Sequence, residues 1–270
     1  MVTLKEAFAI KPGEVISLVG GGGKTTLMFA LAQELSSNGG CVITTTTTKL
    51  FKPPFYPNSC ILLNTNEDEM IRLLLQNIHR YKHITLATKM LASGKLRGIS
   101  SDLVVTLAKL DEVSHVIVEA DGAAQKPLKA PNLTEPVIPS STSLVIPVVG
   151  IEVVGKLLTE ENVFRHEMAS ELIGLSLGDI VTPESVALLM THPLGITKGS
   201  PAEVRIIPFI NKADLAGTLS KARDLATKIL ATRHPRIEQV VIGHARLSEP
   251  VVEVVSSVTK LSVSSPRSTL

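Results

Sequence analysis

Apolar residues follow two alternating patterns along the chain. Short β-branched runs, such as residues 14–19 and 115–120, are typical of buried strands, whereas residues 24–35 place Leu27 and Leu31 at helical spacing. Because runs of the two kinds alternate, the pattern predicts an α/β fold with a mostly parallel sheet and helices on both faces.

The same patterns extend to residue 255 and predict one α/β domain over residues 1–255. Further strands are predicted at residues 41–46, 59–64, 83–88, 145–149, 204–210 and 239–242, and further helices at 66–80, 100–110 and 219–231. Residues 150–199 show helical patches and no clear strand, so we expect a helical insertion that covers the functional site. Residues 256–270 are rich in serine and are expected to fray.

A glycine-rich segment joins the first predicted strand to the first long helix. It comprises Gly20, Gly21, Gly22, Gly23, Lys24, Thr25 and Thr26. Glycines let backbone N–H groups turn into one concavity, and a helix N-terminus favours anions, so the segment predicts a P-loop that binds nucleotide phosphates. Lys24 is expected to act catalytically on the outer phosphates, and the Thr25 hydroxyl to bind Mg²⁺.

The segment departs from the standard pattern G-x-x-x-x-G-K-[ST], because Leu18 lies where that pattern has its first glycine. It is closer to G-G-x-G-K-T-T, and so resembles the P-loop branch containing MinD-like ATPases and dethiobiotin synthetase. The extra lysine of that branch has no counterpart, since Val19 occupies its place. The structural alternative is a flexible glycine turn, which the flanking strand and helix disfavour.

Two carboxylates end the strand predicted at residues 115–120. Glu119 and Asp121 lie at its carboxyl end, the edge of an open α/β sheet where ligands bind. We expect both to bind Mg²⁺ together with Thr25, and Asp121 to act catalytically by orienting the attacking group. The alternative is an ordinary acidic junction between strand and loop.

The four residues 211–214, here called the Asn211 tetrad, follow a late apolar strand. Its members Asn211, Lys212 and Asp214 resemble the N-K-x-D motif that recognises guanine in GTP-binding proteins. A fixed carboxylate accepts two hydrogen bonds from guanine that adenine cannot donate. The nucleotide is therefore expected to be GTP, with ATP left open. A plain strand-to-helix turn capped by Asp214 is the alternative.

Three weaker features also carry chemistry. One interpretation of the threonine run at residues 44–48 is that its hydroxyls contact a phosphate or a second substrate. The alternative is that the run only reflects the preference of threonine for strands. Two basic loops, residues 94–98 and 126–129, bind an anionic substrate or are simply solvated lysines. Cys41 and Cys60 are expected to be buried free thiols.

Composition narrows the class of protein. Hydrophobic residues make up 44% of the 270 residues, enough to bury a sizeable core. The formal net charge is only +2, and this small charge argues against nucleic acid or an acidic membrane as partner. No apolar run reaches the roughly 18 residues that span a bilayer, and no signal peptide is evident. We therefore expect a cytoplasmic protein.

Several ordered motifs over about residues 4–245 resemble the YqeC-like family of accessory proteins of selenium-dependent molybdenum hydroxylases. The motifs are the glycine-rich loop, the threonine run before Lys49, residues 94–98, 119–123 and 127–131, Glu135 with Pro136, Gly150, residues 163–165 and 192–195, and the Asn211 tetrad. The resemblance implies a protein that uses nucleotide to help a molybdenum hydroxylase, or its cofactor, to mature.

Three hypotheses for the activity follow. The first is a Mg²⁺-dependent P-loop nucleoside triphosphatase in metal-cofactor maturation. The second is an ATP-dependent kinase or ligase of a small acidic substrate, with the threonine run and basic loops binding the acceptor. The third is a nucleotide-gated binding module or chaperone, in which residues 150–199 close on a partner.

Overall fold

The computed structural model describes residues 2–37, 40–54, 56–214 and 217–257. In these residues the strands, numbered in chain order, are β1 (Val15–Gly20), β2 (Cys41–Thr46), β3 (Lys49–Phe51), β4 (Ser59–Leu63), β5 (His83–Ala87), β6 (Lys89–Met90), β7 (Lys95–Arg97), β8 (Val113–Glu119), β9 (Leu128–Lys129), β10 (Leu144–Gly150), β11 (Val163–Phe164), β12 (Arg205–Ile206), β13 (Phe209–Asn211), β14 (Gln239–Gly243) and β15 (Val251–Ser256). The helices are α1 (Leu4–Ala7), α2 (Lys24–Ser36), α3 (Glu67–Asn77), α4 (Ser101–Leu107), α5 (His166–Ile173), α6 (Pro183–Thr191) and α7 (Thr218–Ala231).

The main sheet is mostly parallel and has β1 near its middle. Its order is β15-β14-β13-β10-β1-β8-β2-β5-β4, with β12 paired to the start of β10. All described pairings in it are parallel except that of β14 with the edge strand β15. The carboxyl ends of β1, β8, β2 and β13 therefore meet at one edge of the sheet.

Helices cover both faces of this sheet, as the sequence predicted. On one face, Ile16 and Leu18 of β1 pack in a buried cluster with residues of α1 and α2. On the other face, Val15 packs with residues of α3 and α4, and Val19 with residues of α5, α6 and α7. The alternation of side chains along a strand produces this division. No helix in the described ranges is long and apolar enough to span a membrane.

Three predictions about strands need correction. The strand predicted at residues 204–210 is divided into β12 and β13, because Pro208 has no N–H to donate to a ladder. Residues 150–199 do contain a strand, β11, which pairs with β9 over too few residues to give a periodic signal. Of the predicted tail, Ser256 ends β15, and residues 258–270 lie outside the described part.

A second, three-stranded antiparallel sheet was not predicted. It has the order β3-β7-β6, and its central strand β7 occupies most of the segment that the sequence suggested to be a basic loop. Leu50 and Leu96 are buried on one face of this sheet. Each strand is only two or three residues long, which is too short for an alternating pattern to be recognised.

Candidate functional site

The glycine-rich loop follows β1 and is so closely packed that side chains are excluded from it. Gly22 has a φ of +71°, and a Cβ atom there would lie 2.0 Å from the backbone nitrogen of Gly150. Gly23 has a φ of +120°, and a Cβ there would lie 2.4 Å from Nδ2 of Asn211. Left-handed backbone and close neighbours together require glycine at both positions.

The first part of the loop is held by hydrogen bonds inside the protein. The N–H of Gly20 donates to Oδ2 of Asp121 at 3.0 Å, and the N–H of Gly21 donates to the carbonyl of Val148 at 2.9 Å. The N–H of Gly22 also donates to a backbone carbonyl, at 2.9 Å. These three N–H groups are therefore not available to a phosphate, although the sequence suggested a concavity formed along the whole loop.

The first turn of α2 supplies the groups that can bind an anion. Within the described residues, the N–H groups of Lys24, Thr25 and Thr26 have no hydrogen-bond acceptor, and Gly23 caps the helix without a side-chain bond. Free N–H groups at a helix N-terminus, together with the helix dipole, form a site for phosphate. The part of the loop that could bind an anion therefore begins at Gly23.

Lys24 is buried and its ammonium group lies among oxygens. Nζ donates to the carbonyl of Gly20 at 2.6 Å and lies 3.0 Å from Oδ1 of Asp121 and 3.9 Å from Oε1 of Glu119. Burial alone would lower the pKa of Lys24, but the attraction of the two carboxylates outweighs burial and raises the pKa above its usual value. Lys24 is therefore charged.

Thr25 and Glu119 form the pair that fits Mg²⁺. The Thr25 hydroxyl donates to Oε2 of Glu119 at 2.7 Å. Burial raises the pKa of Glu119, and the opposing effects of Lys24 and Thr25 do not cancel that increase. One hydroxyl and one buried carboxylate suit Mg²⁺, which keeps several waters and takes its remaining ligands from substrate phosphates. The described residues contain no cluster of three or more His, Cys, Asp or Glu arranged to hold a metal ion.

Asp121 was predicted as a metal ligand, but its oxygens are directed at other partners. Oδ2 accepts from the N–H of Gly20 and lies 3.0 Å from Nζ of Lys129, and Oδ1 lies 3.0 Å from Lys24. In this arrangement Asp121 joins the glycine loop to two lysines. Of the two carboxylates, Glu119 is therefore the one that is better placed to bind a metal ion.

Three charged residues near Asp121 were missed as functional residues. Lys129 is 1% exposed, and its Nζ lies 3.0 Å from Oε2 of Glu135. Glu135 in turn accepts from Arg165 at 2.9 Å. Burial opposes ionisation of Glu135, but Lys129 and Arg165 together lower its pKa. The interpretation of Lys129 as a solvated lysine is wrong; its place between apolar Leu128 and Ala130 was the signal.

Asn211 connects the glycine loop to the end of β14. Its Nδ2 donates to the carbonyl of Gly22 at 2.7 Å, and its Oδ1 accepts from the N–H groups of Lys212 and Ala245 at 2.9 and 3.0 Å. The Asn211 side chain is thus saturated by the protein and is 3% exposed. Asn211 thus holds the glycine loop through the carbonyl of Gly22, and whether it also contacts a base stays a prediction.

The rest of the tetrad is more open. Lys212 has a φ of +66°, and its Nζ contacts Oε1 of Glu152. Asp214 is exposed, and its Oδ1 lies 3.4 Å from Nε2 of His244. Lys212 and His244 line the cleft beside the glycine loop, whereas Asp214 does not. Whether this tetrad selects guanine stays a prediction.

The threonine run divides into two parts. Thr44, Thr45 and Thr46 are buried, and their hydroxyls bond within the sheet, that of Thr46 to the carbonyl of Glu119 at 2.7 Å. Thr47 and Thr48 line the cleft. Only this second part fits the idea that the run faces a ligand.

The parts described above surround one cleft of about 1300 Å³. The glycine loop, the first turn of α2 and residues of the three-stranded sheet all line this cleft. The lining residues are Gly21, Gly22, Gly23, Lys24, Thr25, Thr26, Thr47, Thr48, Lys49, Phe51, Leu91, Lys95, Arg97, Glu119, Gly122, Ala123, Ala124, Gln125, Lys126, Glu135, Phe164, Arg165, Asn211, Lys212, His244 and Arg246.

Comparison with known proteins identifies the family. The model of the family described as YqeC protein matches residues 16–167, more than half of the chain. The chain belongs to the YqeC family. The uncharacterized protein YqeC of Escherichia coli (strain K12) is 34% identical over 119 residues, which are 44% of this chain and 46% of that protein. The alignment thus covers less than half of the relative's length. The family match contains the glycine loop, Glu119, Lys129 and Arg165, and ends before the Asn211 tetrad.

Proposed function

We propose that this YqeC-family protein is a Mg²⁺-dependent nucleoside triphosphatase that uses GTP or ATP. The observation that supports this most strongly is the convergence of three features at the start of α2. These are the free N–H groups of its first turn, the ammonium group of Lys24, and the hydroxyl of Thr25 on the Glu119 carboxylate. A phosphate bound to these N–H groups would have Lys24 and the Thr25–Glu119 pair as neighbours.

The chemistry follows from where charge develops during phosphoryl transfer. Lys24 and the free N–H groups would stabilise negative charge on the outer phosphate oxygens. Thr25 and Glu119 would hold Mg²⁺, which would neutralise further negative charge on the phosphates. Asp121 would then hold Lys24 in position rather than bind the metal, since it contacts both Lys24 and Lys129.

Nucleotide binding must change the partners of Lys24 in this proposal. In the present arrangement its ammonium group is directed at Gly20, Asp121 and Glu119. A phosphate would compete with these oxygens, and Mg²⁺ would replace part of the positive charge that Lys24 now provides to Glu119. Lys129 keeps Asp121 neutralised while this exchange takes place.

The test is Mg²⁺-dependent phosphate release from GTP and ATP by the wild type, Lys24→Met and Thr25→Val. Lys24→Met should lower turnover by at least about 100-fold, because it removes the cation that faces the transferred group. Thr25→Val should raise the Mg²⁺ concentration needed for half-maximal turnover. Thr106→Val, the same change at an exposed position of α4, is the control. Hydrolysis at the wild-type rate in Lys24→Met would reject the proposal.

We also propose the biological role that the family resemblance implies, in maturation of a selenium-dependent molybdenum hydroxylase or its cofactor. The support is the resemblance itself, together with the nucleotide site proposed above, which such a role would use. The test compares hydroxylase activity and molybdenum content in cells that lack this protein and carry either the wild type or Lys24→Met. Equal activity and metal content in all strains would contradict the role.

A further inference from the structure

We propose that the exposed face of the β3-β7-β6 sheet binds a second ligand, a small molecule with at least two phosphate or carboxylate groups. The ligand would lie in the same cleft as the nucleotide. The proposal rests on the proposed function in one respect only: it assumes that the nucleotide binds at the glycine loop and not on the three-stranded sheet.

The sheet places three cations side by side. In the antiparallel register, Arg97 of β7 lies opposite Lys49 of β3 and opposite Lys89 of β6. Directly opposed residues of an antiparallel pair point to the same face, so Lys49, Arg97 and Lys89 form a cationic row across the sheet. All three are exposed, whereas Leu50 and Leu96 are buried on the other face.

The cationic row has no counter-charge in the part of the chain that the structure describes. Among the described residues, no carboxylate lies within 4.0 Å of Lys49, Lys89 or Arg97. Like charges directly opposite each other destabilise a strand pair. A small sheet that carries such a row without acidic neighbours is suited to an anion that supplies the missing charge.

A planar group and a fourth cation lie beside the row. Phe51 follows Lys49 on the same face and is 44% exposed, and Nζ of Lys95 lies 4.3 Å from the centre of its ring. Lys95 is the cross-strand partner of Phe51. Lys95 thereby presents its charge to the cleft next to an open aromatic surface, which suits an anionic ligand that also has an apolar or planar part.

The sheet is fixed firmly at the edge where the nucleotide site lies. The N–H of Gly98 donates to the carbonyl of Thr48 at 3.0 Å, and the N–H of Ile99 to that of Thr46 at 3.0 Å. A Cβ on Gly98 would lie 1.9 Å from the Thr46 oxygen, so the contact requires glycine. Thr46 also pairs with Glu119 of the Mg²⁺ pair. The position of the row relative to the glycine loop is therefore set by the sheet edge itself.

The dimensions of the cleft agree with two ligands. Lys49, Lys95 and Arg97 line the same space as the first turn of α2, and this space of about 1300 Å³ exceeds the roughly 300–1000 Å³ typical of a site for one small ligand. The chain's formal net charge is only +2, so the positive charge at this sheet is local. A concave, local site favours a small polyanion over a nucleic acid.

The test is calorimetric titration of protein saturated with Mg²⁺ and a non-hydrolysable nucleoside triphosphate. Fructose 1,6-bisphosphate and tricarballylate are the two probes, which distinguish phosphate from carboxylate groups. At least one should bind, and the double variant Lys49→Gln/Arg97→Gln should weaken that binding by at least about tenfold, because two charge-assisted contacts are removed. Lys109→Gln, an exposed lysine after α4, is the matched control and should bind like the wild type.

Two results would overturn the inference: neither probe binds to the nucleotide-saturated protein, or the double variant loses nucleotide affinity as strongly as it loses probe affinity. The second result would assign the cationic row to the nucleotide. If no nucleotide binds to the wild type, the proposed function fails. The probe titration is then repeated with nucleotide-free protein. There, probe binding that depends on Lys49 and Arg97 supports the second site, and its absence rejects it.

Discussion

Nζ of Lys129 lies 3.0 Å from Oδ2 of Asp121, and Nζ of Lys24 lies 3.0 Å from Oδ1 of the same carboxylate. Two buried lysines thus share one aspartate at the base of the glycine loop. Because Asp121 also accepts from the N–H of Gly20, it fixes both the loop backbone and the lysine that would face the phosphates. If Lys24 turned towards a ligand, Lys129 would remain beside Asp121 as its counter-ion.

Replacement of Lys129 should therefore affect stability strongly. Lys129→Gln leaves Asp121 and Glu135 close together without their shared cation, and removal of one partner from a buried ion pair costs about 3–5 kcal/mol. We expect a loss of that size in the free energy of unfolding from urea titrations. Lys126→Gln, in the same loop but without an ion pair, should change it by less than about 0.5 kcal/mol. A loss below about 1 kcal/mol for Lys129→Gln would show that the network is not tightly coupled.

Glu119→Gln should stabilise the ligand-free protein. The pKa of Glu119 is raised by burial, so the folded state binds a proton at Glu119 more readily than the unfolded chain does. The stability that this contributes is present below the ordinary pKa of about 4.5 and is lost as pH rises through the folded pKa. Glutamine never ionises and avoids that loss. The variant should therefore melt above the wild type at pH 8, and the difference should diminish towards pH 4.

With Mg²⁺ and nucleotide present, the wild type should instead melt at a higher temperature than Glu119→Gln. The wild type gains stability in proportion to its affinity for the ligands, whereas Glu119→Gln lacks the carboxylate that would bind the metal. Glu112→Gln, an exposed glutamate just before β8, is the control and should follow the wild type in both conditions. A variant that melts below the wild type without ligands, or that keeps the full ligand-induced shift, would contradict this account.

The sequence predicted the parts of this site that depend on local chemistry. The glycine loop, the carboxylates after β8 and Asn211 could be found because each follows a strongly apolar strand, and such strands end at one edge of a parallel sheet. The roles of Lys129 and the three-stranded sheet could not be found in this way. Both depend on pairings of two or three residues between distant segments, and these leave no periodic pattern.

The Asn211 tetrad allows a separation of loop support from base recognition. Asp214 is exposed and bonded weakly to His244, so Asp214→Ala should change stability by less than about 0.5 kcal/mol. If its carboxylate reads guanine, the variant should lose its preference for GTP over ATP in calorimetric titration with Mg²⁺ and non-hydrolysable analogues. Equal binding of both nucleotides by the wild type would show instead that the tetrad is a structural turn.

Asn211→Ala should behave differently from Asp214→Ala. It leaves the carbonyl of Gly22 and the N–H of Ala245 without their buried partner, which costs about 1–3 kcal/mol in stability. Because the glycine loop would lose its anchor, affinity for both nucleotides should fall together, without a change in their ratio. A selective loss of GTP in this variant would mean that Asn211 itself contacts the base.

His83 makes the stability of the sheet sensitive to acid. Burial lowers its pKa to about 4, Nε2 bonds with the Thr44 hydroxyl at 2.8 Å, and Nδ1 is buried without a partner. The ordinary pKa of histidine is about 6.5. Between pH 6.5 and pH 4, His83 is therefore protonated in the unfolded chain but stays largely neutral in the folded protein. The contribution is present above pH 6.5 and is lost as pH falls through the folded pKa.

The shift corresponds to about 3 kcal/mol of unfolding free energy, lost between pH 6.5 and pH 4. His83→Leu removes this titration while Thr44 keeps its bond to Thr85 at 2.8 Å. Chemical denaturation at a series of pH values should therefore show that the wild type loses about 3 kcal/mol more unfolding free energy than the variant between pH 6.5 and pH 4. His79→Leu, at an exposed position, should keep the wild-type decline. Equal pH dependence in wild type and His83→Leu would mean that burial does not lower the pKa of His83.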